Sequence, residues 1–339
     1  MKILLSGYFG FGNTGDEIIY SVLSKELSKK GFEVYSLVKS PKNNDEFERN
    51  NLKSVASAIR ATDVLISGGG GLLQDATSSK SLYYYLALIY YAQKLHKKTV
   101  VLAQGIGPIK HRLNLYLARR VLASVDLATV RDSYSFDIAS GKIDKSKIAV
   151  TADLGFLFED EESASLPFKD YTVFAPAKTR NTPTLDELVN IVYTISRKTG
   201  KNVLLMPLFG SFDGKLVEDI SSITGMPLLL PSSIAQAAFI IRNAYMVVGT
   251  RYHSVVLSSA KNVPFIALSY DPKVTNLADE FGEKALPYGN LSLEKLEQSL
   301  EEVLCSYEDK KSQIQAKAKE LKQRAKENFE LLYSLLQTE

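Results

Sequence analysis

Gly7–Glu17 reads GYFGFGNTGDE, four glycines in eleven residues, directly behind the apolar run Ile3-Leu4-Leu5. Beyond it, Ile18, Ile19, Val22 and Leu23 recur at helical spacing. That order predicts a strand, a glycine loop and a helix. Glycines permit positive φ and let a ligand approach the backbone closely. A helix start adds free N–H groups and a positive dipole end, which favour an anion. Asp16 and Glu17 also have a structural reading, since carboxylates stabilise helix starts. Together with Asn13 and Thr14 they form a dense set of donors and acceptors, suited to a hydroxyl-rich ligand or a phosphate. Gly10, Gly12 and Gly15 fit the dinucleotide spacing. However, the second strand, VYSLVKS at 34–40, ends without the acid that a ribose would need. No Gly-Lys-Ser/Thr follows, so the loop is not a nucleotide P-loop.

The same alternation continues outward. Lys2–Leu5, Glu33–Val38, Val64–Ser67, Thr99–Ala103 and Leu127–Val130 read as strands, with helical patterns between them, for example Ser81–Leu95 and Leu113–Ser124. Such alternation predicts a parallel sheet covered on both faces. Two more glycine loops follow strands: SGGGGLLQD at 67–75 and QGIGP at 104–108. Ligands of open α/β sheets bind beyond the carboxyl ends of the strands. The four-glycine run has a structural alternative, close packing of two chain segments.

Residues 159–170, EDEESASLPFKD, are acidic and aperiodic and read as a linker. The alternation then resumes, with strands at Tyr171–Ala175, Asn202–Pro207, Met226–Leu230, Met246–Gly249 and Phe265–Leu268 and helices at Thr184–Thr199, Ser233–Asn243 and His253–Ala260. The expected architecture is α/β and GT-B-like: two Rossmann-like domains facing across a cleft. The first spans 1–158 and the second 171–308. A C-terminal helix over 309–339, part of a helical stretch 291–336, can pack back on the first domain.

Composition narrows the function classes. The 339 residues are 45% hydrophobic and 23% charged, ordinary for a globular protein. A net charge of +3 is too small to argue for nucleic acid. One cysteine, Cys305, excludes an intramolecular disulfide and a cysteine-based metal cluster. No apolar run is long enough to span a bilayer, and Gly and Asn interrupt residues 1–20 where a secretion signal would be apolar. Segment 310–326, KKSQIQAKAKELKQRAK, carries seven basic residues and one acidic. Ile314, Leu321, Phe329, Leu332 and Leu336 give it apolar positions. It reads either as a basic amphipathic helix on an anionic membrane or as a solvated helix packed on the first domain.

Of three histidines, His96 and His111 sit among lysines and arginines and read as solvated. His253 lies in GTRYHS, after a strand and at a helix start. Arg251 is two residues away, Lys273 sits in the next strand–helix loop, SYDPKV, and Arg131 follows its strand in VRDSYS. Charges so placed are costly without partners. An anionic ligand is one partner; ion pairs with Asp132 and Asp271 are the structural alternative.

The ordered set GYFGFGNTGDE, SGGGGLLQD, QGIGP, VRDSYS and RYHS…SYDPK resembles the polysaccharide pyruvyl transferase family, most closely its cell-surface-anchoring branch. The resemblance runs from Lys2 to about Phe281. Tyr252 departs from it, standing where the family pattern has Leu. The resemblance implies a cytoplasmic enzyme, peripheral at the inner membrane face if segment 310–326 makes contact there. It would transfer pyruvate from phosphoenolpyruvate to the 4,6-hydroxyls of a sugar, N-acetylmannosamine of a lipid-linked cell-wall polysaccharide precursor whose ketal retains surface-layer proteins. It puts the family's donor-binding positions on Arg131, His253 and Lys273, and Arg251 beside them is a further donor-binding candidate. The enol must be protonated by a group that titrates near neutral pH, which points to His253 as the proton carrier. Asn13, Asp16, Gly70 and Asp75 are then the expected acceptor-binding residues. Phosphoenolpyruvate is a substrate, and no cofactor or metal is expected. Two other classes stay open. One is a nucleotide-sugar glycosyltransferase with Glu280 as the ribose acid, and the other is a non-enzymatic module for anionic polysaccharide.

Overall fold

A computed structural model describes residues 1–76, 78–160, 166 and 169–337. Most of the linker expected at 159–170 therefore lies outside the described residues. The chain forms two compact units, Met1–Phe158 joined by the chain from Leu321 on, and Glu159–Glu320.

The first unit runs β1 (Lys2–Phe9), α1 (Thr14–Lys29), β2 (Glu33–Val38), β3 (Glu46–Glu48), α2 (Leu52–Ala61), β4 (Val64–Gly68), α3 (Ser79–Lys94), β5 (Lys98–Gln104), α4 (Arg112–Leu122), β6 (Leu127–Val130), α5 (Ser133–Ala139) and β7 (Ile148–Val150). Its sheet has the order β3-β2-β1-β4-β5-β6-β7. Every pairing is parallel, with Ile3 opposite both Val34 and Val64. β1 is longer than Lys2–Leu5. It continues through Ser6 and Gly7 to Phe9, whose ring lies 2.1 Å from where a Gly7 Cβ would stand. Gly7 is thus a strand residue that makes room for Phe9, and the loop proper begins at Gly10.

The second unit runs β8 (Tyr171–Ala175), α6 (Leu185–Thr199), β9 (Asn202–Leu205), α7 (Gly210–Thr224), α8 (Ile234–Arg242), β10 (Met246–Gly249), α9 (Tyr252–Ala260), β11 (Phe265–Ser269), α10 (Pro272–Glu280), β12 (Leu286–Pro287) and α11 (Leu293–Cys305). Its sheet order is β12-β11-β10-β8-β9, again parallel where pairs form. The strand expected at Met226–Leu230 is a single bridge, Leu205 to Leu228. Flanking prolines, Pro227 and Pro231, deny it a ladder. The expected stretch 291–336 is two helices, α11 and α12 (Tyr307–Gln337), separated at Ser306.

The fate of α12 decides one expectation. Ile314, Leu321, Phe329, Leu332 and Leu336 are all buried, between 0% and 6% exposed. From Leu321 on they pack into the first unit, where the buried Asn328 accepts from Thr129 (2.5 Å) and Thr151 (2.8 Å) and donates to the Ala152 carbonyl. The apolar stripe offered for a bilayer is therefore used inside the protein, and 310–326 presents its basic side alone. Among the described residues no helix is long and apolar enough to cross a membrane.

Candidate active site

In an open parallel sheet the binding crevice forms where the strand order reverses. In the second unit the chain runs from β8 outward to β9, then returns to the other side through β10, so the reversal lies between β8 and β10. Asp213, in the first turn of α7 and 0% exposed, bridges this point. One carboxylate oxygen accepts from the Lys178 backbone N–H after β8 (2.9 Å). Both oxygens take the Arg251 guanidinium after β10, Nε at 2.9 Å and Nη2 at 2.6 Å. Burial alone would pull the Arg251 guanidinium down, but Asp213 and the Tyr270 hydroxyl outweigh it and hold it above its ordinary value. The guanidinium also faces the stacked rings of Phe209 (5.5 Å) and Phe212 (6.0 Å).

Arg251 is the N-cap of α9 yet makes no side-chain cap bond, and Phe209, the N-cap of α7, makes none either. Through Asp213 and Arg251 these two amino ends meet. Each presents backbone N–H groups and the positive end of a dipole, the standard environment for an anion. His253 stands in the first turn of α9, half-buried, its ring edge-on to Tyr252 at 5.3 Å. Tyr252 itself is buried, so the departure from the family pattern faces the core. Lys273 opens α10 on the neighbouring strand. Its Nζ lies 3.3 Å from Asp271, which caps the same helix. Behind them Tyr288 is fully buried beside Thr250 and Ala177, and burial pushes its phenol above the ordinary range. Glu280 ends α10, about 10 Å along the axis from Lys273.

The first unit reverses between β1 and β4. There Gly68, Gly69 and Gly70 lie under three successive turns of α1. A Cβ on each would stand 2.5 Å from Leu23, 2.4 Å from Ile19 and 2.7 Å from Asp16. Gly69 and Gly70 also have positive φ, 62° and 70°. Gly68–Gly70 thus make room for α1 and bring the Asp16 carboxylate against bare backbone. Asn13 caps α1 and donates to Asp16 (2.6 Å). The amides of Gly10, Phe11 and Gly12 all point at one oxygen of Glu17 (2.8, 3.1 and 3.2 Å). This anion nest is filled by the chain's own carboxylate.

Asp75 is buried and holds the segment before α4, accepting from Lys110 N–H (2.7 Å), His111 N–H (3.1 Å) and Asn114 (2.9 Å). Burial pushes its carboxyl up, but these bonds outweigh that and leave it below the usual carboxylate value. Arg131 is 4% exposed. Its guanidinium bonds Asp153 (3.0 Å), approaches Asp132 (3.5 Å) and lies on Gly105, where a Cβ would stand 2.6 Å away. Each cation singled out in the sequence therefore carries a carboxylate of its own.

A profile of the polysaccharide pyruvyl transferase family matches residues 13–272, from Asn13 through the α9 site to Pro272. The chain belongs to that family. It is an enzyme, a transferase acting on polysaccharide, and Lys273 stands one residue past the matched span. No curated protein matches the chain significantly. Solved structures agree on its GT-B-type α/β fold. The Methanocaldococcus jannaschii UDP-GlcNAc 2-epimerase is 14% identical with a TM-score of 0.63, over 90% of this chain and 93% of that one. The Neisseria meningitidis UDP-GlcNAc 2-epimerase is 12% identical with a TM-score of 0.62, over 98% and 100%. A glycosyltransferase from Rickettsia africae is 15% identical with a TM-score of 0.55, over 100% and 99%.

Sequence reasoning missed several residues of this pyruvyl transferase's site regions. Asp213 lay hidden because Gly210 and Gly214 obscured the helical period of α7. Asp153, Tyr270 and Tyr288 left no local signal. Arg49 was also missed. It is buried, donates to the Gly7 carbonyl (2.6 Å) and Tyr85 (3.2 Å), and faces the rings of Tyr8, Phe11, Tyr84 and Tyr85 at 4.8–5.7 Å. Tyr8 and Phe11 stack at 4.0 Å.

Proposed function

We propose that the enzyme is a ketal pyruvyltransferase of the cell-surface-anchoring branch, using phosphoenolpyruvate as donor. The acceptor is the 4,6-diol of N-acetylmannosamine in a lipid-linked cell-wall precursor. One observation carries the donor half. Arg251 and His253 sit at the β8/β10 reversal, on helix ends without side-chain caps, and Lys273 opens the adjacent helix. A donor with a carboxylate and a phosphate calls for this combination of guanidinium, ammonium and the positive ends of two helix dipoles.

The chemistry follows from the donor. Protonated His253 gives its proton to the methylene carbon of the enol phosphate, making the methyl group and leaving C2 electrophilic. One sugar hydroxyl adds to C2, and its proton restores the imidazolium. The C2–O bond to phosphate then breaks. The second hydroxyl closes the ketal, and its proton leaves with phosphate. Arg131 is assigned to the donor as well. Asn13, Asp16 and Gly70 are assigned to the acceptor with the Tyr8–Phe11 stack as an apolar wall, and Asp75 holds the loop beside them. The test is phosphate release from phosphoenolpyruvate with a panel of synthetic β-linked acceptors. Release with the N-acetylmannosamine acceptor, and thermal stabilisation by phosphoenolpyruvate rather than by uridine diphosphate, supports the reading. Stabilisation by uridine diphosphate alone overturns it in favour of a glycosyltransferase.

A further inference from the structure

With the apolar stripe of α12 buried, another surface of the first unit has the chemistry of a membrane contact. Helices α3 and α4 leave a groove of about 780 Å³ between them. Its apolar wall comes from positions three or four apart, Tyr83, Leu86, Ala87 and Tyr90 on α3 and Leu117 and Val121 on α4. Tyr83, Tyr90 and the adjacent Tyr116 are 43%, 51% and 47% exposed, and Leu113 beside them is 64% exposed.

The charge around the groove has one sign. Lys94, Arg120 and Lys142 line it, and among the described residues no acidic one does. The adjoining hollow adds Lys97 and Lys98 and a single acid, Asp126, whose carboxylate is turned inward to the Thr99 N–H (2.7 Å). The cations rest on the phenols. Lys94 Nζ lies 5.3 Å from the Tyr90 ring and Lys142 Nζ lies 5.2 Å from the Tyr116 ring. Arg120 donates to the Tyr116 hydroxyl at 3.3 Å. Phenols with a wet tip and an apolar body, flanked by lysine and arginine, are the side chains that occupy the interface of an anionic bilayer.

We infer that the α3–α4 face docks on an anionic phospholipid surface. The tyrosines enter the headgroup layer, and Lys94, Arg120 and Lys142 meet the lipid phosphates. The face is joined directly to the acceptor-side loop. Tyr83 donates to Asn114 (2.6 Å), and Asn114 donates to Asp75 (2.9 Å) in the loop after β4. Docking would hold that loop at the bilayer, where a lipid-linked sugar presents itself. The inference goes beyond the proposed reaction and stands or falls without it, because its test needs neither donor nor acceptor.

The test is co-sedimentation of the full chain, at low salt, with vesicles of phosphatidylglycerol and phosphatidylcholine against phosphatidylcholine alone. Wild type should pellet with the anionic vesicles only, and less at high salt. Lys94→Glu with Lys142→Glu should lower the partition coefficient at least about 25-fold, at about five-fold for each charge removed near the surface. Tyr90→Ser with Tyr116→Ser should weaken binding at equal charge. Both pairs are exposed, so a circular-dichroism melt should match wild type. Lys311→Glu, Lys319→Glu and Lys326→Glu together, which alter the exposed side of α12, should change binding far less. The inference is overturned if wild type stays in the supernatant, if α12 reversal removes binding while the α3–α4 variants keep it, or if wild type is a dimer that the tyrosine variants convert to monomer.

Discussion

Asp213 joins the loops after β8 and β10 through three hydrogen bonds that its fully buried carboxylate accepts, and their loss can be measured. Hydrogen bonds to a charged group contribute about 1.5–3 kcal/mol each, and removing one member of a buried ion pair costs about 3–5 kcal/mol. The Arg251 side chain retains 18% exposure, which lets water soften the loss, so Asp213→Ala should destabilise the second unit by about 3–4 kcal/mol. Arg251→Ala should cost at least as much, because it leaves a carboxylate that water does not reach with the Lys178 N–H alone. In the double variant neither charge is left alone. Its cost should therefore fall short of the sum by at least about 1.5 kcal/mol. The chain has no Trp, and two units do not promise a single transition. The suitable reading is hydrogen exchange on peptides from β8 and β10, which reports opening of that unit directly. Additivity within about 0.5 kcal/mol would refute the claim that the pair is energetically coupled. If Arg251 holds the donor, Asp213→Asn should also raise the KM for phosphoenolpyruvate well before it lowers kcat. A fall in kcat alone would make the pair a scaffold only.

His253→Ala should keep its fold and lose about 10²–10⁴-fold in phosphate release, and His253→Gln should do no better because it carries no transferable proton. Activity per folded molecule within a few-fold of wild type removes His253 from the mechanism. Arg131→Lys should fail to restore donor binding lost in Arg131→Ala, since a fork becomes a point charge; titration with phosphoenolpyruvate decides it. Gly70→Ala should destabilise by at least about 1–2 kcal/mol from its positive φ alone, with a further loss from Asp16, read as a drop in melting temperature. Burial raises the Asp75 carboxyl, but its bonds from Lys110, Asn114 and His111 outweigh that and hold its folded pKa below the ordinary carboxylate value. Its stabilisation is therefore present above that value and lost as pH falls through the folded one. Asp75→Asn should accordingly narrow the gap in melting temperature between pH 6 and pH 3, and an unchanged gap would show that its three bonds do not discriminate the charged form.

The parallel α/β character and most elements of both units were legible because buried parallel strands read as apolar runs and the helices between them keep their period. What failed had local causes. Pro227 and Pro231 cut the strand expected at Met226–Leu230 down to a bridge, Gly210 and Gly214 hid α7, and β12 spans only Leu286–Pro287. The glycine runs were legible as special backbone, but their use was not. Whether Gly68–Gly70 approach a ligand or a helix depends on where α1 lies, and only the fold sets that. Likewise the sequence puts Arg131 beside Asp132, whereas the closer partner is Asp153, twenty-two residues on, just past the neighbouring strand β7.

The paired state of the cations bears on how an anion could be held. At the second unit's edge Arg251 is matched by Asp213 and Lys273 by Asp271, so the attraction cannot come from a surplus of positive charge. It has to come from orientation. Asp213 takes Nε and Nη2 of Arg251 and so fixes the plane in which the other guanidinium donors point. α7 and α9 add backbone amides whose partial charges cannot diffuse or be neutralised by a proton. In the first unit the equivalent amides are taken by Glu17, and Asp16 stands against bare backbone instead. One unit therefore offers oriented donors and the other oriented acceptors with an aromatic wall, which is the division that an anionic donor and a hydroxylic acceptor would each require.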